Sequence, residues 1–216
     1  MIKGPVDNLL EKVDEVPEIK ADVETMEKNT NRLIALITQI LDFRQTETKG
    51  FSMDFAKVNI TEMLKESYVS FSPLAKKKEL HYTIDTPFND VYALADEEAL
   101  QKIFSNLFNN AVKYADKKVS IRMAPVNNEN DNFTIEFEND GLLIPADMKE
   151  KIFEPFYRLK ETVKKQGTGL GLALARSLAE LHDGKLYLKD GASGANIFVL
   201  CLPLKPKKKL NKKTKK

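Results

Sequence analysis

The constraint that most narrows this chain is a pair of segments: a polar stripe on one helix, and a glycine loop ahead of another. Residues 96–114 carry Leu100, Ile103, Phe104, Leu107 and Ala111 on one arc of a helix, so that arc faces a core. Asn106, Asn110 and Lys113 lie together beside it at i, i+4 and i+7, and Tyr114 falls at the border of the two faces. Farther on, Gly167-Thr168-Gly169-Leu170-Gly171-Leu172 opens an apolar helix. Glycines let the backbone come close to an anion, and the N–H groups of a first helical turn are free to receive it. The loop is not a Walker loop, because no Gly-Lys-Ser/Thr follows. The dinucleotide fingerprint is excluded too, since its spacing differs and no strand runs directly into the glycines. Each segment alone has a plain reading, as a solvated helix face or a flexible turn.

Periodicity organises the rest. Residues 1–13 read as a short amphipathic helix through Val6, Leu9, Leu10 and Val13, and 14–22, with Pro17, as a loop. A long helix follows over 22–48. Val23, Met26, Thr30, Leu33, Ile37 and Ile40 recur on it in steps of 3 and 4, a heptad seam widened by Ile34 and Leu41. Two antiparallel helices of unequal length bury such a seam poorly, whereas a four-helix bundle made from two chains buries it well. Lys49-Gly50 breaks the helix, and from Phe51 the pattern becomes α/β. Strands are predicted over 52–59, 81–85, 92–95, 119–125, 133–138, 185–190 and 195–202, and helices over 60–77, 96–114, 145–152 and 170–182.

Two more segments lie between the stripe and the glycines. Asn139-Asp140-Gly141 ends a predicted strand, where α/β layers place ligands; an amide or carboxylate oxygen there can accept from an adenine amino group. Phe153-Glu154-Pro155-Phe156 precedes a polar stretch with Arg158, Lys160, Lys164 and Lys165, suited to folding over a triphosphate. On the helix, an amide oxygen is a neutral, hard ligand for Mg²⁺ already held by phosphates. Lysine adds a point charge, and tyrosine packs on a purine ring.

Together the four segments resemble the ATP-binding domain of two-component sensor histidine kinases, in the superfamily shared with gyrase, Hsp90 and MutL. Asn106-x-x-x-Asn110-Ala111-x-Lys113-Tyr114 is similar to that family's N box, and Asn139-Asp140-Gly141-Leu142-Leu143-Ile144-Pro145 to its G1 box. Phe153-Glu154-Pro155-Phe156 resembles the F box and Gly167 to Leu172 the G2 box, in matching order and spacing. The resemblance covers about 22–203. It implies an α+β chain: a helical hairpin, half of a dimeric four-helix bundle, over 1–50, and an α/β sandwich over 51–204; the lysines that follow make 205–216 a basic tail or linker. It implies ATP and Mg²⁺ as cofactors, with Asn110 as the Mg²⁺ ligand. Asn106 and Lys113 would contact metal-bound phosphates, Tyr114 would lie against adenine, and Arg158 would reach a phosphate. Gly141, Gly167, Thr168, Gly169, Leu170 and Gly171 would line the pocket. Asn139 takes the place of the usual adenine-reading Asp, and Leu143 that of the second G1 glycine.

The implied reaction moves the γ-phosphoryl of Mg-ATP to a histidine on the dimerisation helix and then to a response regulator aspartate. Residues 2–10 resemble the sequence that follows the phosphoacceptor motif, and the acceptor itself is absent. His81 in a predicted strand and His182 at a helix stop read as structural, so this chain is expected not to autophosphorylate. Two rivals stand beside this reading. An ATPase of the same superfamily would place Glu at position 106 to activate water. A non-catalytic dimerisation and signalling module would have lost nucleotide affinity, and Asn139 and Leu143 keep that open.

Charge argues against a nucleic-acid binder. Of the 34 basic residues, eight lysines crowd into 205–216, leaving 26 against 32 acids, a net charge of −6 for the body. A duplex-binding body would carry its own basic face. The single cysteine, Cys201, excludes an internal disulfide. With no span or signal peptide in the sequence, a cytoplasmic location is expected, beneath a membrane anchor supplied by upstream segments.

Overall fold

The structure, a computed structural model of the 216-residue chain, describes residues 4, 17–47, 52–87, 89–126, 131–162, 165, 167–189 and 194–206. The chain divides into two compact units, Met1–Arg44 and Gln45–Lys216. Apart from residue 4, the predicted helix over 1–13 lies outside the described residues, as does the basic tail beyond 206.

Helix α1 spans Pro17–Glu47, so the predicted loop ends earlier than expected. Proline suits the first helical position: its ring presets φ, and the N–H it lacks has no intrahelical partner there. Of the heptad seam, Val23 and Thr30 are buried. Met26, Leu33, Ile37 and Ile40 are exposed, with Ile34 and Leu41 beside them; Leu33 reaches 55% and Ile37 56%.

The second unit holds a two-stranded antiparallel ribbon, β1 (Phe55–Asn59) with β3 (Tyr92–Asp96), and a five-stranded sheet. The sheet order is β2 (His81–Asp85), β4 (Lys118–Met123), β5 (Asn132–Asn139), β7 (Asn196–Pro203) and β6 (Lys185–Leu188). Only the β2–β4 pair is parallel. Alternation assigns the two faces. Val119, Ile121, Met123, Phe133, Ile135, Phe137, Leu186, Phe198, Leu200 and Leu202 share one buried face through the register. The other face carries Lys118–Glu138 and Lys189–Glu136 ion pairs at 3.6 and 2.9 Å, beside Ile197 and Val199 of β7.

Three helices cover the apolar face: α2 (Ile60–Lys77), α3 (Glu97–Tyr114) and α4 (Gly171–Leu181). Phe108 of α3 meets Phe137 of β5 edge-on at 5.3 Å and stacks on Phe71 of α2 at 5.6 Å. The arc of Leu100, Ile103, Phe104, Leu107 and Ala111 is wholly buried, as its spacing predicts. Asp96 starts α3 by accepting from Ala99 N at 3.0 Å. Its own N–H donates to His182 Nε2 at 3.1 Å, at the far end of α4.

The predicted helix over 145–152 is instead two short 3-10 turns, Ala146–Met148 and Lys151–Phe153. Pro145 fixes the entry, and Glu154 turns extended before Pro155. That leaves too few residues to repay helix nucleation, and Ile152 and Phe153 bury themselves without it. Among the described residues, no helix is long and apolar enough to cross a membrane.

Candidate functional site

The polar stripe of α3 and the glycine loop meet. A Cβ added at Gly171 would lie 2.5 Å from Asn106 Oδ1, and one added at Gly167 would lie 2.6 Å from Lys113 Nζ. Asn106 is oriented by donating its Nδ2 to Lys102 O at 2.8 Å, which leaves Oδ1 for the loop side. Asn110, one turn on, is half-buried. Thr168 Oγ1 accepts from Leu170 N at 3.2 Å, and Leu170, itself buried, leads directly into α4.

The loop is also fixed from the Phe153–Phe156 side. Phe156 N donates to Gly169 O at 3.1 Å, and a Cβ at Gly169 would meet the Phe156 backbone at 2.7 Å. Gly169 has φ +79, which suits glycine alone. Arg158 spans the same stretch. Its Nη1 donates to Gly167 O at 3.0 Å, and its Nη2 to Thr162 O at 2.7 Å and to Lys165 O. The guanidinium expected at a phosphate is therefore tied to loop carbonyls here.

At the C-terminal end of α3, three lysines converge. Lys78 Nζ donates to Val112 O at 2.6 Å and Lys113 O at 3.0 Å, and Lys165 Nζ donates to Lys113 O at 3.2 Å. Burial and then the Lys165 charge lower the Lys78 pKa. The Nζ atoms of Lys113 and Lys165 lie 4.6 and 5.3 Å from the centroid of the Tyr114 ring.

Opposite Tyr114 stands the turn after β5. Gly141 is obligatory, since an added Cβ would lie 1.9 Å from Tyr114 O. Asp140 binds the backbone: its carboxylate accepts from Asp116 N at 3.0 Å and Lys117 N at 3.0 Å. Desolvation raises its pKa, but the N–H groups of Lys118, Lys117, Asp116 and Asp140 outweigh that and hold it below the ordinary value. Asn139 is 2% exposed, and its Oδ1 accepts from Gly141 N at 3.3 Å and Asn196 Nδ2 at 3.4 Å. Asn196, the direct cross-strand partner of Asn139, accepts from Ile144 N and donates to Leu142 O, both at 3.0 Å.

Tyr114, Ala115, Asp116, Asp140, Gly141, Leu142 and Lys165 line an open depression of about 390 Å³. A larger one, about 640 Å³, lies at Asn59, Glu62, Lys65, Glu66, Val69 and Asp90 and holds none of the motif residues. The smaller one, which holds Tyr114 and Gly141, is the candidate site. Asn196 was not singled out in the sequence; the available signal was a lone polar side chain heading the apolar strand β7. Among the described residues, no group of three or more His, Cys, Asp or Glu forms a metal cage. His182 is buried, with Nε2 on Asp96 N and Nδ1 on Leu178 O at 2.7 Å.

Residues 95–206 match the family described as histidine kinase-, DNA gyrase B-, and HSP90-like ATPase. The chain is 30% identical to histidine kinase P4 of Formosa agariphila over 94% of its own length, and spans 15% of that relative. The catalytic domain of histidine kinase ThkA superposes with a TM-score of 0.64 at 29% identity, covering 73% of this chain and all of that one. ThkA in complex with the response regulator protein TrrA gives a TM-score of 0.70 at 24% identity, over 96% of this chain and 58% of that one, a likeness of fold. The chain belongs to the histidine kinase-, DNA gyrase B- and HSP90-like ATPase family, and carries the ATP-binding domain of a sensor histidine kinase.

Proposed function

We propose that the chain binds Mg-ATP between α3, the turn after β5 and the glycine loop before α4, and transfers its γ-phosphoryl to a histidine of a dimerisation helix. One observation carries this reading: Asn106 Oδ1 and Lys113 Nζ lie against Gly171 and Gly167, so an amide oxygen, an ammonium group and the N–H groups of a helix start converge where metal-bound phosphates would sit. Asn106 and Lys113 take the phosphates, Asn110 offers its amide oxygen to the metal, and Tyr114 takes the base. Gly141 lets the base approach, and Arg158 and Thr168 shape the loop around the phosphates through Gly167, Gly169 and Leu170. Bound Mg²⁺ supplies charge neutralisation on the phosphates; the protein supplies alignment.

The acceptor histidine is neither His81 nor His182. His182 is sealed in the core with both ring nitrogens engaged. We infer that this chain does not phosphorylate itself; acid-labile phosphate on it after incubation with labelled ATP would refute that. The exposed seam on α1 supports a homodimer through the helical hairpin. A response regulator receiver domain is the proposed next acceptor, by analogy with the ThkA–TrrA pair. We place the chain on the cytoplasmic side of a membrane-anchored parent.

Calorimetric titration with ATP, with and without Mg²⁺, tests the core of this reading. Saturable binding strengthened by Mg²⁺ is expected, weakened at least tenfold by Asn110→Ala. No binding to a folded chain would favour the second reading, a nucleotide-free signalling module. That reading draws on the commitment of Asn139 Oδ1 to internal donors.

A further inference from the structure

We propose that Asp140 is a positioning residue of the base pocket: its carboxylate ties the turn after β5 to the turn after α3, and so sets the gap the base enters, without itself reading the base. The inference rests on the nucleotide-site reading above and adds a strut to it. Two short segments form most of the depression, Tyr114, Ala115 and Asp116 on one side and Asp140, Gly141 and Leu142 on the other. Helix α3 ends at Tyr114 and β4 begins at Lys118, so the first side runs into a three-residue link. Backbone N–H groups in such a link need a partner from outside the helix and the strand ladder. Asp140 is that partner. Its Oδ1 accepts from Asp116 N and from Lys117 N, each at 3.0 Å, and its Oδ2 accepts from Lys117 N at 3.1 Å. Its own N–H donates to Lys118 O at 3.3 Å, prolonging the β4–β5 pairing. Successive N–H groups around one oxygen make a small anion nest, and here the anion is a side chain of the opposite wall.

A carboxylate at a strand end can accept from a base amine or from its own chain. Both oxygens of Asp140 are turned to its own chain. Desolvation pushes its pKa up, yet the backbone N–H groups prevail and hold it below the ordinary value. The two walls also touch directly, since a Cβ added at Gly141 would lie 1.9 Å from Tyr114 O. That contact limits how near the walls come, and the Asp140 bonds keep them from parting or sliding. The phosphate end of the site, at Asn106, Lys113 and the glycine loop, takes no part in this bridge. Loss of the carboxylate therefore loosens the grip on the base and leaves the grip on the phosphates.

The test is calorimetry with Mg²⁺ on the 216-residue chain and on Asp140→Ala, using ATP, ITP and inorganic tripolyphosphate. ITP differs from ATP only at the C6 edge and the adjoining N1 proton, and tripolyphosphate has no base. Expected in the variant is a loss of about tenfold in affinity for ATP and for ITP alike, with tripolyphosphate unchanged. Asp140→Asn, which keeps one acceptor oxygen, should recover part of that loss. An ATP-to-ITP ratio that shifts in the variant overturns the inference, because it makes the carboxylate a reader of the base edge. Unchanged ATP affinity, or an equal loss for tripolyphosphate, overturns it as well, and each of these outcomes leaves the nucleotide site standing. A natural chain with an intact melting transition that binds no ATP removes the nucleotide site and the strut together. If Asp140→Ala does not fold, the same comparison on Asp140→Asn decides.

Discussion

Helices α1 and α3 are both amphipathic, with apolar residues at helical spacing, and they meet opposite fates. In α3, Leu100, Ile103, Phe104, Leu107 and Ala111 are covered completely by the sheet and its companion helices. In α1, Leu33, Ile37 and Ile40 remain open to water along a continuous stripe. The periodicity is alike; the difference lies in what each helix has to pack against. A stripe with a sheet beneath it becomes core, and a heptad seam without a second chain remains surface. Stability and assembly should therefore respond to different substitutions.

The largest separation is expected from Phe104→Ala set beside Ile37→Ala. The first should cost about 3–5 kcal/mol in urea unfolding of the sheet unit, by leaving a cavity in the core. The second should leave that transition within about 0.5 kcal/mol. Equal losses from the two would break the comparison. Next comes Gly141→Ala, which forces a methyl group into the Tyr114 carbonyl. A loss of about 2–3 kcal/mol is expected, together with weaker nucleotide binding by calorimetry.

Acid should then reveal a further element of the α3 core. Burial lowers the His182 pKa from 6.5, against the Leu178 carbonyl and the charges of Asp96 and Asp183, which raise it. The folded chain needs this ring neutral. Its contribution is complete above pH 6.5 and declines as the pH falls toward the lowered value, because the unfolded chain takes up the proton first. Melting temperatures at pH 7.5 and 5.5 should differ more in the natural chain than in His182→Gln. The smallest effect on stability and the clearest on mass should come from Leu33→Asp with Ile37→Asp. Sedimentation is expected to shift from dimer to monomer, with the melting of the sheet unit unchanged. A chain that sediments as a monomer before substitution would remove the basis for α1's exposed seam.

The sequence made some of this visible and hid the rest for identifiable reasons. The stripe of Asn106, Asn110 and Lys113 was legible because a helix converts spacing into direction. The alternation in β5 was legible in the same way. Residues 145–152 looked helical, yet Pro145 and Pro155 frame too short a span, and two 3-10 turns form instead. Pro17 looked like a loop residue but starts α1. Asn196 escaped notice because its meaning is cross-strand: register alone places it opposite Asn139. Arg158 could be placed on the loop but not aimed. Its three carbonyl partners come from the fold of the loop, which no pattern in the sequence encodes.

The two ammonium groups near Tyr114 carry a last consequence. The aromatic ring serves Lys113 and Lys165 as a weak counter-ion. On the proposed reading, a triphosphate draws both cations toward itself and uncovers the ring for the base. Tail and base then bind as one cooperative event. A bare nucleoside, with no charge to trade for the ring, has to strip the lysines unaided and should bind far more weakly than its missing phosphate contacts alone would account for.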